Sequence, residues 1–223
     1  MIPLRNVEYE LIQRLPIERK TVAQRTLEGW QNAPHGSVLY EPDVTDFLDS
    51  CHNYRDKYNK TYPEGPKITF NIVILKVIAE CLRSAPVFNT HFEFKRSTST
   101  GKLKFCKNIN IAIPFIAEKE KLVSPTLNDI GSKDLRQLAI ESADLKRKVN
   151  NTNVTELLTQ TAIADTKYNL LHGSFKVKCK MIRRIIGGFF GKDRIKPLKG
   201  KEKKEYYTIP ETERLTPQDI LNP

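Results

Sequence analysis

Residues 90–126 read THFEFKRSTSTGKLKFCKNINIAIPFIAEKEKLVSPT, and this stretch decides the fold class. Four pieces of it have strand character: Thr90 to Phe94, Leu103 to Cys106, Asn108 to Ile116 and Leu122 to Thr126. They are separated by turn-forming Ser-Thr-Ser-Thr-Gly and Glu-Lys-Glu-Lys stretches, which predicts a sheet half. Upstream, the apolar run from Ile72 to Leu82 predicts a helix from about Thr69 to Ser84, buried on most sides and stopping before Pro86. Downstream, Ser132-Lys133-Asp134 caps a helix with apolar positions at Leu135, Leu138, Ala139, Ala143 and Leu145; Asn150-Asn151 then breaks it before a short further helix.

Nearer the start, Ile17, Val22 and Leu27 lie among polar residues from Pro16 to Trp30, as on an amphipathic helix. Ser37 to Glu41 reads as a strand, and Asp43-Val44-Thr45-Asp46 opens a helix to about Tyr58. Helices and strands alternate without the regular rhythm of a doubly wound sheet. The expected class is therefore an α/β (α+β) two-layer sandwich, a mixed β-sheet flanked by helices.

The chain has 223 residues, 39% hydrophobic and 28% charged, the profile of one soluble domain. The apolar run at 72–82 is interrupted by Lys76 and Glu80 and is shorter than the roughly 18–20 residues that cross a bilayer, so an integral membrane protein is disfavoured. Residues 1–10 have neither the apolar core of a signal peptide nor the acid-poor face of a transit peptide, and the expected address is cytoplasmic. Cys51, Cys81, Cys106 and Cys179 form no C-x-x-C pair, which leaves reduced, mostly buried thiols as the expectation.

Several motifs follow one another in order: Glu18-Arg19-Lys20-Thr21-Val22-Ala23-Gln24-Arg25, Ala33-Pro34-His35, Asp43-Val44-Thr45, Lys67-Ile68-Thr69-Phe70, Pro86-Val87-Phe88-Asn89, Asn108-Ile109-Asn110-Ile111-Ala112-Ile113 and Lys121-Leu122-Val123-Ser124-Pro125-Thr126. In this order they resemble the acyltransferase (dihydrolipoamide acyltransferase) core of 2-oxoacid dehydrogenase complexes, over roughly residues 17 to 160. The likeness resumes at Leu215-Thr216-Pro217-Gln218-Asp219-Ile220, similar to the family's L-S-P-E-D-L element. The resemblance implies a chloramphenicol acetyltransferase-like fold and a homotrimer or larger assembly. It also implies an active site in a channel between subunits, where coenzyme A and a dihydrolipoyl arm meet as substrates and no cofactor is held covalently. With only some 16 residues before the first helix, the lipoyl domain is expected on another chain.

The family's base is the histidine of an H-x-x-x-D-G motif, and its oxyanion donor is a hydroxyl in a T-x-S-N strand; both follow the L-S-P-E-D-L element. A thiol with a pKa of about 8.5 attacks as thiolate, so a neutral imidazole takes its proton, while the hydroxyl meets the charge developing on the carbonyl oxygen. This sequence stops at Pro223, three residues past Ile220. The expectations are thus a C-terminally incomplete domain, no catalytic residue within the chain, and an inactive polypeptide.

Arg25 resembles the arginine that is held against the aspartate of the family's motif, and His35 stands where the family also has P-H; these two are the channel or positioning candidates. His52 and Asp56 fit H-x-x-x-D, but Lys57 replaces the glycine, and their four-residue spacing predicts an exposed side-chain pair on a helix. His91 and Glu93 alternate on a strand without a third ligand nearby, so no metal is expected.

Charge divides the chain unevenly. Residues 167–204 hold 13 Lys or Arg and two acids, which accounts for the whole net charge of +11. The expected division is 1–160 for the N-terminal part of the catalytic domain, 161–214 for a basic insertion and 215–223 for the return to the core. Within the insertion, Phe175 to Met181 alternates apolar and basic residues as an exposed strand does, Ile182 to Phe190 mixes the two, and Gly200 to Lys204 reads as a mobile surface turn. Four roles stay open for it: packing on its own trimer, contact with an acidic protein, an anionic membrane surface reached through 175–204, and, least favoured, nucleic acid. A non-catalytic scaffold or binding relative acting through 167–204 is the competing reading of the whole chain.

Overall fold

The computed structural model describes residues 10–11, 15–32, 36–117, 121–190 and 198–221. Its helices are α1 (Ile17–Asn32), α2 (Thr45–Thr61), α3 (Phe70–Ser84), α4 (Leu135–Asn150), α5 (Val154–His172), α6 (Phe175–Phe190), α7 (Gly200–Thr208) and α8 (Gln218–Leu221). Its strands are β1 (Thr90–Lys95), β2 (Thr100–Phe105), β3 (Ile111–Ala112), β4 (Phe115–Ile116), β5 (Leu122–Val123) and β6 (Thr126–Leu127).

Local side-chain bonds and a proline mark the start of α4, the approach to α2 and the end of α3. Asp43 accepts hydrogen bonds from the Thr45 backbone (3.0 Å) and hydroxyl (2.7 Å) ahead of α2. Asp134 and Gln137 form a reciprocal capping box at the start of α4, satisfying two backbone donors that no intrahelical carbonyl reaches. Pro86 stands two residues past Ser84, the end of α3.

In the sheet half, β1 and β2 form an antiparallel hairpin in which Phe92 faces Leu103 and Glu93 faces Lys102. The expected strand at Asn108–Ile116 is divided into β3 and β4, and its partner into β5 and β6. Pro114 and Pro125 stand at the breaks, where no backbone N–H is available for the ladder. The ladder is bridged by Ile113 N–H donating to the Pro125 carbonyl at 2.9 Å. Among the described residues the strands form three antiparallel pairs, β1–β2, β3–β6 and β4–β5, so the α/β class holds with its sheet in short antiparallel pieces.

The core lies where α3, α4 and the start of α5 enclose the inner hairpin. Ile72, Leu127, Leu138, Val149, Leu157 and Leu215 are all buried in one cluster. Leu215 belongs to the return segment, and its backbone N–H donates to the buried Thr152 hydroxyl at 2.8 Å. Two tight hydrogen bonds, Thr216 N–H and Oγ1–H to Asp219 Oδ2 (2.7 and 2.8 Å), then start α8.

Several expectations are corrected. Ser37 to Glu41 is not a strand: it has no partner ladder, and Val38 is 96% exposed. Helix α3 buries one stripe, Ile72 and Ala79, while Val77 and Ile78 remain exposed. Helix α5 is 19 residues long, not short, because no breaker follows Asn153 until Gly173. The boundary drawn at residue 160 falls inside it. Phe175–Met181 is helical rather than a strand, since its apolar residues also satisfy four-residue spacing. Gly200–Lys204 is the first turn of α7, anchored by Tyr206, rather than a loose turn. Of the cysteines, Cys51 is buried and Cys106 half-buried, but Cys81 and Cys179 are exposed; all four are free.

Candidate functional site

Arg25 lies on the third turn of α1. Its side chain is 63% exposed and reaches Glu28 at 3.5 Å. With Thr21 and Gln24 it faces Leu158, Thr161 and Asp165 of α5 across a groove of about 40 Å³, room for about one water. The other candidate, His35, lies with Ala33 and Pro34 outside the described residues.

The remaining histidines separate from any site. His52 and Asp56 are both exposed on α2, and no ion pair joins them: the four-residue spacing is met, but each side chain stays in water. On β1, Glu93 pairs with Lys104 across the hairpin, and that hydrogen bond holds its carboxyl below the ordinary glutamate range. No group of three or more potential ligands that could hold a metal ion occurs among the described residues.

An open concavity runs along α3. It has a volume of about 520 Å³ and an apolar lining that includes Val73, Val77, Cys81 and Leu135. Its polar edge is Lys76 and Glu80, joined at 3.1 Å, and the Lys76 bond lowers the Glu80 carboxyl pKa. Lys76 also donates to the Gly131 carbonyl at 3.1 Å, fixing α3 to the loop before α4. A cleft with an apolar wall and one ammonium–carboxylate edge suits a ligand with an aliphatic body and a polar end.

A polar cluster that sequence reasoning missed sits at the start of α5. Asn153 caps the helix by accepting from Glu156 N–H at 3.0 Å, which leaves the Glu156 carboxylate free to point elsewhere. That carboxylate is buried and accepts from Leu198 N–H (3.1 Å) and Tyr207 Oη–H (2.9 Å). Gln160 donates to the same Tyr207 oxygen. The buried Arg214 guanidinium stacks on Tyr206 and Tyr207 at 5.2 and 5.0 Å and donates to the Ile209 carbonyl at 3.2 Å. Burial, with Glu156 beside it, raises the Tyr207 phenol pKa, and burial likewise raises that of Tyr206. Both phenols therefore stay protonated at neutral pH, and Tyr207 acts as a hydrogen-bond donor. The signal in the sequence was Asn153-Val154-Thr155-Glu156, a helix-start pattern whose glutamate bonds to residues 198 and 207 rather than to its own cap.

The cluster joins the far end of the basic segment to a core that known proteins share. A family profile described as 2-oxoacid dehydrogenases acyltransferase (catalytic domain) matches residues 10–161. The chain is similar to the dihydrolipoyllysine-residue acetyltransferase component of the pyruvate dehydrogenase complex of Rickettsia prowazekii, at 28% identity over 141 residues, 62% of this chain and 32% of that protein. It is also similar to the lipoamide acyltransferase component of the branched-chain alpha-keto acid dehydrogenase complex of Bacillus subtilis, at 26% identity over 61% of this chain and 30% of that one. Among solved structures, the dihydrolipoamide acetyltransferase of Azotobacter vinelandii superposes with a TM-score of 0.52 at 25% identity, covering 66% of this chain and 58% of that one. The chain thus spans about a third of the length of these curated relatives. With the profile matched over most of its length and the fold shared, this chain belongs to the 2-oxoacid dehydrogenases acyltransferase (catalytic domain) family.

Proposed function

We propose that the chain takes part in acyl transfer between a dihydrolipoyl thiol and coenzyme A, with both as substrates and neither held covalently. The observation that carries this reading is the family match across residues 10–161, which includes all of the buried core cluster except Leu215. In this reading the α3 cleft or the Arg25 groove borders the path of one substrate, and Arg25 positions a partner group supplied from outside the described residues. No histidine of the 223 residues stands in an H-x-x-x-D-G motif, and in this proposal the base that takes the thiol proton is a histidine supplied with that segment.

A homotrimer or larger assembly is part of the same proposal. Two exposed apolar surfaces support it: Val38, Leu39 and Tyr40 in the extended stretch before α2, and Phe92, Phe94, Leu103 and Phe105 on one face of the β1–β2 hairpin. A two-stranded hairpin with one largely apolar, uncovered face is marginal alone and is stabilised by burial against a neighbour. A lipoyl group as the acyl carrier and a cytoplasmic setting belong to the same proposal.

The test is acetyl transfer from acetyl-coenzyme A to dihydrolipoamide. The expected result is background turnover by the 223-residue chain alone, rising when a polypeptide bearing the H-x-x-x-D-G segment is supplied. No transfer in either arrangement contradicts the reading and favours a non-catalytic scaffold or binding role through 167–204.

A further inference from the structure

Helix α6 lies beyond residues 10–161, the part of the chain that the family profile matches. Its sequence, FKVKCKMIRRIIGGFF, has five basic residues and no acidic one. Val177, Met181 and Ile185 follow one another at four-residue intervals; Met181 is buried and the other two half-buried, on the side that packs on α5. A second apolar row, Phe175, Cys179, Ile182 and Ile186, faces away. Phe175 is 82%, Ile182 49% and Ile186 55% exposed, and Cys179 is exposed with them.

Charge flanks that row. Exposed Arg183 follows Cys179 by one turn on one side, and half-buried Lys178 lies on the other. Lys176, Lys180 and Arg184 complete the five basic residues of the helix sequence. The row is presented on a fixed edge, because the α5–α6 corner is tight: a Cβ on Gly173 would lie 2.3 Å from the Asn169 carbonyl oxygen.

From this arrangement we infer that α6 lies on the surface of an anionic lipid bilayer. Phe175, Ile182 and Ile186 enter the boundary between headgroups and acyl chains, and Arg183 and its basic neighbours sit at phosphate level. No helix among the described residues is long and apolar enough to cross a membrane, and this surface asks for none. Charge complementarity selects the occupant. A second copy laid on the same face brings like charge against like charge, and nucleic acid leaves Ile182 and Ile186 without a partner, since bases stack on aromatic or guanidinium planes. An acidic headgroup layer above hydrocarbon satisfies both features at once.

The experiment is flotation of the full 223-residue chain with vesicles of phosphatidylcholine alone or mixed with phosphatidylglycerol. Binding to the mixed vesicles is expected, weakening with added salt, together with little binding to the neutral ones. Ile182→Ser with Ile186→Ser is expected to reduce binding at least about tenfold while leaving the circular dichroism spectrum unchanged. Ile182→Trp keeps the apolar row; it should still bind, and its emission above the Trp30 background should be quenched by lipids brominated in the acyl chains. Failure to bind the mixed vesicles overturns the inference, including where the chain instead retains DNA, an acidic protein or a second copy of itself. Mixed-vesicle binding indifferent to the serine pair, or an unquenched Ile182→Trp emission, also overturns it, since charge alone would then hold the chain.

Discussion

Tyr207 Oη donates to Glu156 Oε1 at 2.9 Å, a bond that ties α7 to the first turn of α5 across 51 residues of sequence. Leu198 N–H reaches the other carboxylate oxygen, so both ends of the 198–207 stretch are held by one buried acid. Glu156→Ala removes that acceptor and leaves a backbone donor and a phenol unsatisfied. The expected loss of stability is about 1–3 kcal/mol by urea unfolding, and proteolysis should cut first near residue 198.

The same cluster sets an alkaline limit. The Tyr206 and Tyr207 phenols have folded-state pKa values above their ordinary 10.0, chiefly through burial. A group whose pKa is raised on folding contributes stability that is present below its unfolded pKa and lost as pH rises through the folded one. Stability should therefore be flat to about pH 9 and fall above about pH 10. Tyr207→Phe should flatten part of that fall, and unfolding midpoints measured across the range check it.

On the acid side the pattern reverses. Arg147 and then Lys148 hold the Asp144 carboxyl below its ordinary 3.8. Its contribution is present above that value and lost as pH falls through the lowered one. Arg147 bonds Asp144 at 2.7 Å and Glu213 at 3.3 Å, so Arg147→Ala should move the acid-unfolding midpoint to higher pH and loosen the turn at Glu211–Glu213. The shift should be small and shrink further at high salt, because these groups face solvent.

Leu215 packs fully buried among core residues of α4 and α5, although 42 residues separate it from Gly173 at the end of α5. Leu215→Ala should cost about 2–5 kcal/mol, as for any large core truncation. An effect near zero would mean that the return segment does not dock on the core.

Gly173 allows α6 to leave α5 at close quarters, with a Cβ there also falling 2.8 Å from Val177 Cγ1. Gly173→Ala should destabilise by about 1–3 kcal/mol through overpacking. Weakened vesicle binding should accompany it, because the outward row of α6 loses its fixed edge.

Most of the core was legible in the sequence because local signals agreed with tertiary packing. Asp134 and Gln137 announce α4, Pro86 ends α3, and the apolar spacing of residues 17–27 predicts α1. The segment beyond 160 was harder for a physical reason. Phe175–Met181 alternates strictly enough to suit a strand, while Phe175 and Cys179 on one side and Val177 and Met181 on the other also satisfy one helical turn, and only packing on α5 decides. Ser37–Glu41 has strand composition but gains no ladder among the described residues, since composition does not supply a partner. Of the candidate site, Arg25 lies on α1, within the helix that the spacing predicts, whereas Glu156 is in sequence only an acid in the first turn of α5. Its partners, Leu198 and Tyr207, lie more than 40 residues away, a proximity that sequence spacing does not carry.

The most direct measurement of the proposed activity is calorimetric titration of the 223-residue chain with coenzyme A. Saturable binding, displaced by acetyl-coenzyme A, is the expected result for a chain that contributes to acyl transfer. A folded chain that takes up no coenzyme A at millimolar concentration would contradict it.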